Sequence, residues 1–334
     1  MKKLLLFCSL AVFGWVNAQV YTSTQDGLFL NPLVWDCLCV PSDGDTLVVA
    51  HDLQMSTNIY YTSGQITVNN GASLTEDGTD RDIWIDGGSF INNGTLEARD
   101  IWLGAGSMTN AGTIGPLDSM WVQAPLTNSG TITVYDILND QTADFNNSGT
   151  LTITNNFNNQ GPFLNTGNIT VANDFSNCNT QTMDAVFTNN NIFCITNDFS
   201  NCADDTLAGS GNYYIGGSSA NLGVFDGTFS FHTPSGTVGI PGNISPGVTV
   251  TTGACTIGLE EVAELTFDVY PNPATTELNI TLNNFKYEVY NYAGVLVSKG
   301  QSDGTIDVVQ LPNGIYLLNV STGNAYETVK FVKQ

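Results

Sequence analysis

Through the middle of the chain, apolar and polar residues alternate in short runs, and each run follows an Asn-x-Gly or a near variant. The runs read NNGTLEA from Asn92, NAGTIGP from Asn110, NSGTITV from Asn128, NSGTLTI from Asn147 and NTGNITV from Asn165, with a degenerate NNNIFCI from Asn189. The steps between them are 18, 18, 19, 18 and 24 residues. In GTITV and GTLTI the period of two sends Ile, Leu and Val to one side and Thr to the other. A second marker travels with the first: Ile83-Trp84, Ile101-Trp102, Met120-Trp121, Ile137-Leu138, Asn156-Phe157, Asp174-Phe175 and Asp198-Phe199. No window carries the 3.6-residue period of an amphipathic helix.

A unit of this length has no room for a helix pair, and its Asn, Gly, Thr and β-branched residues favour turns and strands. Two or three short strands with tight corners fit, and stacking such units gives a parallel β-solenoid in which each coil pairs with its neighbours. The crossover rule favours a right-handed coil. The fold class expected for the repeats is therefore all-β: a right-handed parallel β-helix. Residues 19–80 are expected to form an N-terminal cap and the first coils, 81–202 the repeats, and 203–265 a terminal cap and linker. The segment from Ile66 to Phe199 should hold about seven coils, spaced about 4.8 Å apart. At the Asn-x-Gly corner a positive φ is expected, which Gly adopts freely and Asn better than most. Asn110, Asn128 and Asn147 should lie one above another with their amides hydrogen-bonded, and the Trp and Phe of the second marker should fill the interior or cap one face.

The ends set the compartment. Lys2-Lys3, an apolar stretch from Leu4 to Val16 and the small-x-small end at Ala18 make up a secretory signal peptide over residues 1–18, with cleavage between Ala18 and Gln19. The stretch is shorter than the roughly 20 residues a spanning helix needs, and no transmembrane segment is expected in the mature chain. Six cysteines remain, an even number consistent with disulfides outside the cell. Cys178 and Cys202 close two copies of NDFSNC; stacked copies would bring their Cα atoms within disulfide range, so these two are expected to pair, with Cys194 as the competitor. Cys37 and Cys39 are left open.

Charge narrows the partners. The chain carries 31 acidic residues against 8 basic ones. Between Gln19 and Leu265 only Arg81 and Arg99 are basic, which excludes nucleic acid, whose phosphates need Lys and Arg.

At Phe267 the texture changes to TFDVYPNPATTELNITL, KYEVYNYAGVLVSKG and DGTIDVVQLPNGIYLLNVSTGNAYETVKFVKQ. Residues 266–334 resemble the type A C-terminal sorting domain of the type IX secretion system. The matching residues are Tyr270, Pro271, Asn272, Pro273 and Ala274, the turn at Gly294, Gly314 and Tyr316 in LPNGIY, and Lys330 and Lys333 near the end. The resemblance implies a small Ig-like β-sandwich, recognition by the type IX translocon and sorting machinery, and a cargo released or held at the outer-membrane surface. The bottom-up pattern agrees: alternating segments separated by Asn-Ala-Gly, Ser-Asp-Gly and Pro-Asn-Gly turns. An ordinary adhesive Ig-like module would carry the same turns.

Candidate chemistry is sparse. Arg81 and Arg99, the basic residues a polysaccharide lyase would need, occupy equivalent repeat positions and read as stacked outward side chains near Asp82 and Asp100. Asp82, Asp100, Asp174 and Asp198 recur with the repeat and read as corner residues. Asp204-Asp205 breaks the register and reads as a solvated turn. His51 and His232 stand apart from any Gly-x-Ser-x-Gly elbow. Asp77, Asp80, Asp82 and Asp86 form the one place a calcium ion would fit, but their spacing is not that of an EF-hand and a solvated acidic turn is the simpler reading. No cofactor and no catalytic residue are expected. Two function classes follow: a structural or adhesive surface solenoid contacting glycan or another surface ligand, or a carbohydrate-active β-helix enzyme.

Overall fold

The computed structural model describes residues 19–179, 183–255, 267–292, 294–322 and 325–334. The predicted signal peptide over 1–18 lies outside them, as do residues 256–265 of the predicted cap and linker. The chain divides into two compact units, residues 1–255 and 256–334.

The first unit is a β-solenoid of about 11 turns, its strands joined into one continuous parallel array. Each full coil contributes three strands. An asparagine face includes Gln65–Val68, Leu126–Asn128, Phe145–Asn147, Phe163–Asn165 and Val186–Asn189, each paired in parallel with the next coil. A threonine face follows across the corner, including Thr150–Ile153, Asn168–Val171 and Ile192–Ile195. A third face carries the second marker and includes Ile59–Tyr61, Phe157–Asn159, Phe175–Asn177 and Phe199–Asn201. The alternation operates as read: Ile132, Val134, Leu151 and Ile153 are buried, while Thr131, Thr133 and Thr152 are half-buried on the outside.

Asn110, Asn128 and Asn147 are in register and fully covered. Each Nδ2 donates to the Oδ1 of the next coil's Asn at 2.7 Å, and the chain of amides runs from Asn92 through Asn110, Asn128, Asn147 and Asn165 to Asn189. A second ladder, which sequence reading missed, runs on the third face from Asn139 through Asn159, Asn177 and Asn201 to Asn221, again at 2.7 Å per step. Stacked identical amides satisfy each other where water cannot reach, the arrangement that makes Asn ladders stabilising in cross-β stacks.

Three expectations need correction. The repeat glycines Gly94, Gly112, Gly130, Gly149 and Gly167 are not at positive φ. They are glycine because the coils touch there: a Cβ on Gly130 would stand 2.0 Å from the Gly112 carbonyl oxygen, and one on Gly149 2.1 Å from that of Gly130. The second marker is also aligned differently. Phe157 stacks on Ile137, not on Leu138, so the phenylalanines continue the inward column of Ile83, Ile101 and Met120, whereas Trp84, Trp102 and Trp121 form an outward column that fills no interior. Finally, the stack extends past 202. Thr206–Gly209, Asn212–Ile215, Ser219–Asn221, Val224–Gly227, Ser230–Thr233 and Thr249–Thr252 continue the three faces in register, so that most of 203–252 is coil and not cap or linker. The motif fades because Gly209 takes the ladder position of Asn189, at φ +111°, and its neighbour Asn189 then donates to backbone carbonyls instead.

The core changes character along the stack. Early coils are filled mainly by Ile, Leu, Val and Met; from Phe145 onward rings pack on rings, with centroids 4.7 Å apart for Phe145–Phe163, 4.8 Å for Phe163–Phe187, Phe187–Phe175 and Phe175–Phe193, and 5.8 Å for Phe175–Phe199. At the N-terminal end Trp35 is fully buried after the 3-10 turn Pro32–Val34 and donates its indole N–H to Phe29 O at 2.8 Å. Disulfides join Cys37 to Cys39, Cys178 to Cys202 and Cys194 to Cys255.

The second unit consists of two antiparallel sheets, one of three strands and one of four. The four-stranded sheet contains Phe285–Asn291, Leu296–Ser302, Gly314–Thr322 and Ala325–Lys333; the three-stranded sheet contains Val269–Tyr270, Glu277–Ile280 and Thr305–Asp307. Leu278, Ile306, Phe285, Val289, Leu318, Val320 and Phe331 fill one core between them.

Candidate functional site

The solenoid's outward side chains separate into ordered polar corners and one aromatic column. At the corner before the third face, Asp136 Oδ1 accepts from Asn155 Nδ2 (3.0 Å) and the Asn156 N–H (2.9 Å). Asn156, Asp174 and Asp198 repeat this one coil further on each time, the Asp174 carboxylate receiving Asn197 Nδ2 at 2.6 Å and the Asp198 carboxylate the Ser218 N–H at 2.7 Å. These acids therefore brace successive coils, as the recurrence of Asp174 and Asp198 in the sequence implied.

The aromatic column runs Tyr60, Trp84, Trp102, Trp121. Centroid separations are 5.6, 5.1 and 4.1 Å; the Trp84 and Trp102 rings are nearly parallel, at 7°, whereas Trp121 is turned 68° against Trp102 and is 42% exposed. Register alone produces the column, because every coil places the residue after its inward Ile or Met outward. Beside it lie both arginines of the solenoid. Arg99 reaches Asp82 at 2.8 Å and Asp100 at 3.0 Å, while Arg81 turns away to Asp77 at 3.1 Å, so the two do not form the stacked pair expected. The Asp82 carboxylate, with Asp100 beside it, holds the Arg99 guanidinium above its ordinary value. A cleft of about 200 Å³ opens between column and charges, lined by Asp82, Trp84, Arg99, Asp100, Trp102, Ser119 and Trp121.

The four aspartates considered for calcium do not converge. The Thr79 hydroxyl and Arg81 hold Asp77 below the usual carboxylate range, Asp82 binds Arg99 and Asn58, and Asp86 is exposed to solvent. Cys178, Cys202 and Asp205 lie within 4.8 Å of one another, but the two sulfurs are bonded to each other and offer no thiolate. Asp205 is not the solvated turn expected. It is 1% exposed, and its two oxygens accept the Asn179 N–H (2.9 Å) and the Ala185 N–H (2.6 Å), so it holds the chain just after Asn177 and just before Val186; only Asp204, at φ +72°, is exposed. Burial pushes the Asp205 carboxyl up, against the pull of those two N–H groups. His51 faces the buried Ser23 hydroxyl, which also accepts the Ala50 N–H, and His232 stacks on Tyr214 while contacting Thr251. Both are committed to packing.

In the C-terminal unit Asn272, Ala274, Lys330 and Lys333, picked out from sequence, gather where the first and last segments meet. Asn272 stands between Pro271 and Pro273, each preceded by a cis peptide bond. Its Nδ2 donates to Lys330 O (3.1 Å) and its Oδ1 accepts the Val332 N–H (2.9 Å). Ala274 extends the join by pairing with Lys333, its N–H bound to Val332 O at 2.8 Å. Tyr316 is buried on Phe331, and its hydroxyl donates to Pro312 O at 2.8 Å. Gly294 supplies the φ of +76° that the hairpin after Phe285–Asn291 requires. Gly314 opens its strand opposite Lys333, whose ammonium donates to Gln334 O; Tyr270 and Lys330 are exposed. The motif thus acts as a clasp closing the unit on its own C-terminal strand.

Residues 268–334 match the family described as the secretion system C-terminal sorting domain. No curated protein matches the chain in sequence. The matched segment begins one residue after the texture change at Phe267 and includes every residue of the clasp. It makes the chain an export substrate of the type IX system, destined for the extracellular space or the outer-membrane surface.

Proposed function

We propose that the protein is a non-enzymatic, adhesive surface solenoid: residues 268–334 are the address, and the coil stack is the part displayed. The observation that carries this reading is the use the stack makes of its polar residues. Its recurring Asp and Asn side chains bind the next coil, as Asp136, Asp174 and Asp198 do, and the outward groups left in register form an extended face suited to contact with a surface. The acidic charge keeps such a face soluble and selects against polyanions.

The test compares cells displaying the full chain with cells displaying the sorting unit alone, scored for attachment to polysaccharide-coated and protein-coated surfaces. Attachment lost with the solenoid supports the reading. Release of reducing ends from a polysaccharide by the purified protein would replace it with the enzymatic one.

A further inference from the structure

We infer that the aromatic column and its charged flank form a binding site for an uncharged glycan, with Trp121 as the platform for one sugar ring and Arg99, Asp100 and Ser119 as its hydroxyl partners. This rests on the adhesive reading and names the ligand class for it.

Four observations converge on one spot. Three of the chain's five tryptophans share a single outward column, although outward positions elsewhere on this face carry Asn158, Ser176 and Ser200. Arg99, one of only two Lys or Arg residues between Gln19 and Cys255, lines the cleft beside that column. The cleft between them, at about 200 Å³, is smaller than the 300–1,000 Å³ or so of a drug-sized pocket and suits a single ring. Two polar atoms of its lining residues, Trp84 Nε1 and Asp100 Oδ1, are covered yet have no hydrogen-bond partner among the described residues. Covered polar atoms without partners are rare, because each carries a desolvation cost.

Sugar chemistry fits this set. A pyranose ring presents a face of C–H bonds to the negative face of an indole, while its hydroxyls each donate one hydrogen bond and accept others. The free Asp100 oxygen accepts, and the Arg99 guanidinium and Trp84 Nε1 donate, so neighbouring hydroxyls find both kinds of partner at the ring's edge. Trp84 and Trp102 cover each other's faces and expose edges; Trp121, turned out of the stack at the column's end, is the ring left to take a sugar. The column runs along the solenoid axis with a coil spacing of about 4.8 Å, so a chain of sugars can continue beside it. An anionic glycan is disfavoured, since Asp80, Asp82 and Asp100 already surround Arg99.

The experiment uses the chain from Gln19 to Gln334 in native affinity electrophoresis through gels containing a neutral β-glucan, xylan, mannan or alginate, with tryptophan fluorescence titrations alongside. The expected result is retardation by at least one neutral polysaccharide, weakened at least tenfold by Trp121→Ala and largely restored by Trp121→Phe, with unchanged circular dichroism. No retardation by any neutral polysaccharide, equal retardation by alginate, or undiminished binding by Trp121→Ala would each overturn the inference. Should Trp121→Ala disturb the fold, Ser119→Ala gives the same comparison without touching the column. Cells displaying Trp121→Ala that still attach in the surface assay would leave the adhesive reading standing while removing this site.

Discussion

Replacing Asn128 with Val should destabilise the solenoid more than the same replacement at Asn92, although both side chains are fully buried in one ladder. Asn128 lies mid-ladder. Its Oδ1 accepts from Asn110 Nδ2 at 2.7 Å, and its Nδ2 donates to Asn147 Oδ1 at 2.7 Å and to Thr150 O at 3.3 Å. Without it, Asn147 Oδ1 loses its ladder donor where water cannot enter, while Asn110 Nδ2 keeps the Gly112 and Thr131 carbonyls. Asn92 begins the ladder. The position in register before it is Val68, and its Oδ1 has no hydrogen-bond partner among the described residues. Asn92→Val strands Asn110 Oδ1 but removes the acceptor already stranded on Asn92, so the number of unpaired oxygens does not change. Asn128→Val raises it by one. A buried polar group left unpaired costs about 1–3 kcal/mol, and the two variants should differ by that amount, with Asn128→Val itself about 2–4 kcal/mol below the parent. Urea unfolding of the chain from Gln19 measures the difference, and hydrogen exchange should place the loosened amides in the coils around residues 110–150, since solenoid coils depend mainly on their neighbours. Equal losses for the two variants would refute the account of the ladder as a directional relay with an unsatisfied origin.

Two further outcomes follow. Asp205 has a raised folded pKa, so its stabilising contribution is complete below the ordinary carboxylate value of about 3.9 and is lost as pH rises through the raised value; the stability of the parent relative to Asp205→Asn should fall over that interval, and a rise would mean that the two backbone N–H donors outweigh burial. Asn272→Ala removes two hydrogen bonds to the last strand and should lower the stability of the C-terminal unit by about 1–3 kcal/mol in a melt, with export reduced accordingly; an unchanged unfolding midpoint would show that the clasp is not what closes the unit.

How much was legible depended on whether a residue's role was periodic. The Asn-x-Gly repeat gave the coil, its register and the Asn92–Asn189 ladder, because a buried amide must recur wherever its neighbour does. The second ladder was hidden by its variable spacing, and because Asn159, Asn177 and Asn201 are distinguished from outward asparagines such as Asn158 only by strand parity. The role given to the repeat glycines failed for a related reason: close approach between coils and positive φ both select Gly, and one sequence cannot separate them. Reading Ile83-Trp84 and Asn156-Phe157 as equivalent pairs shifted the register by one residue, which exchanged inside for outside and concealed the aromatic column. Coils beyond 202 were missed because Gly209 and Ser219 replaced the residues that marked the repeat. Asp205 could not be placed from sequence, since the N–H groups that it accepts, on Asn179 and Ala185, lie 26 and 20 positions away. The clasp of the C-terminal unit was legible as a set of residues, but the bond from Asn272 to Val332 spans 60 positions and carries no local signal.

The division of the chain into an exported solenoid and its address is tested most directly by deleting residues 267–334 and labelling surface proteins in a host that has the type IX system. The account predicts a folded solenoid retained inside the outer membrane and absent from the labelled fraction. Normal surface levels of the truncated chain would contradict it.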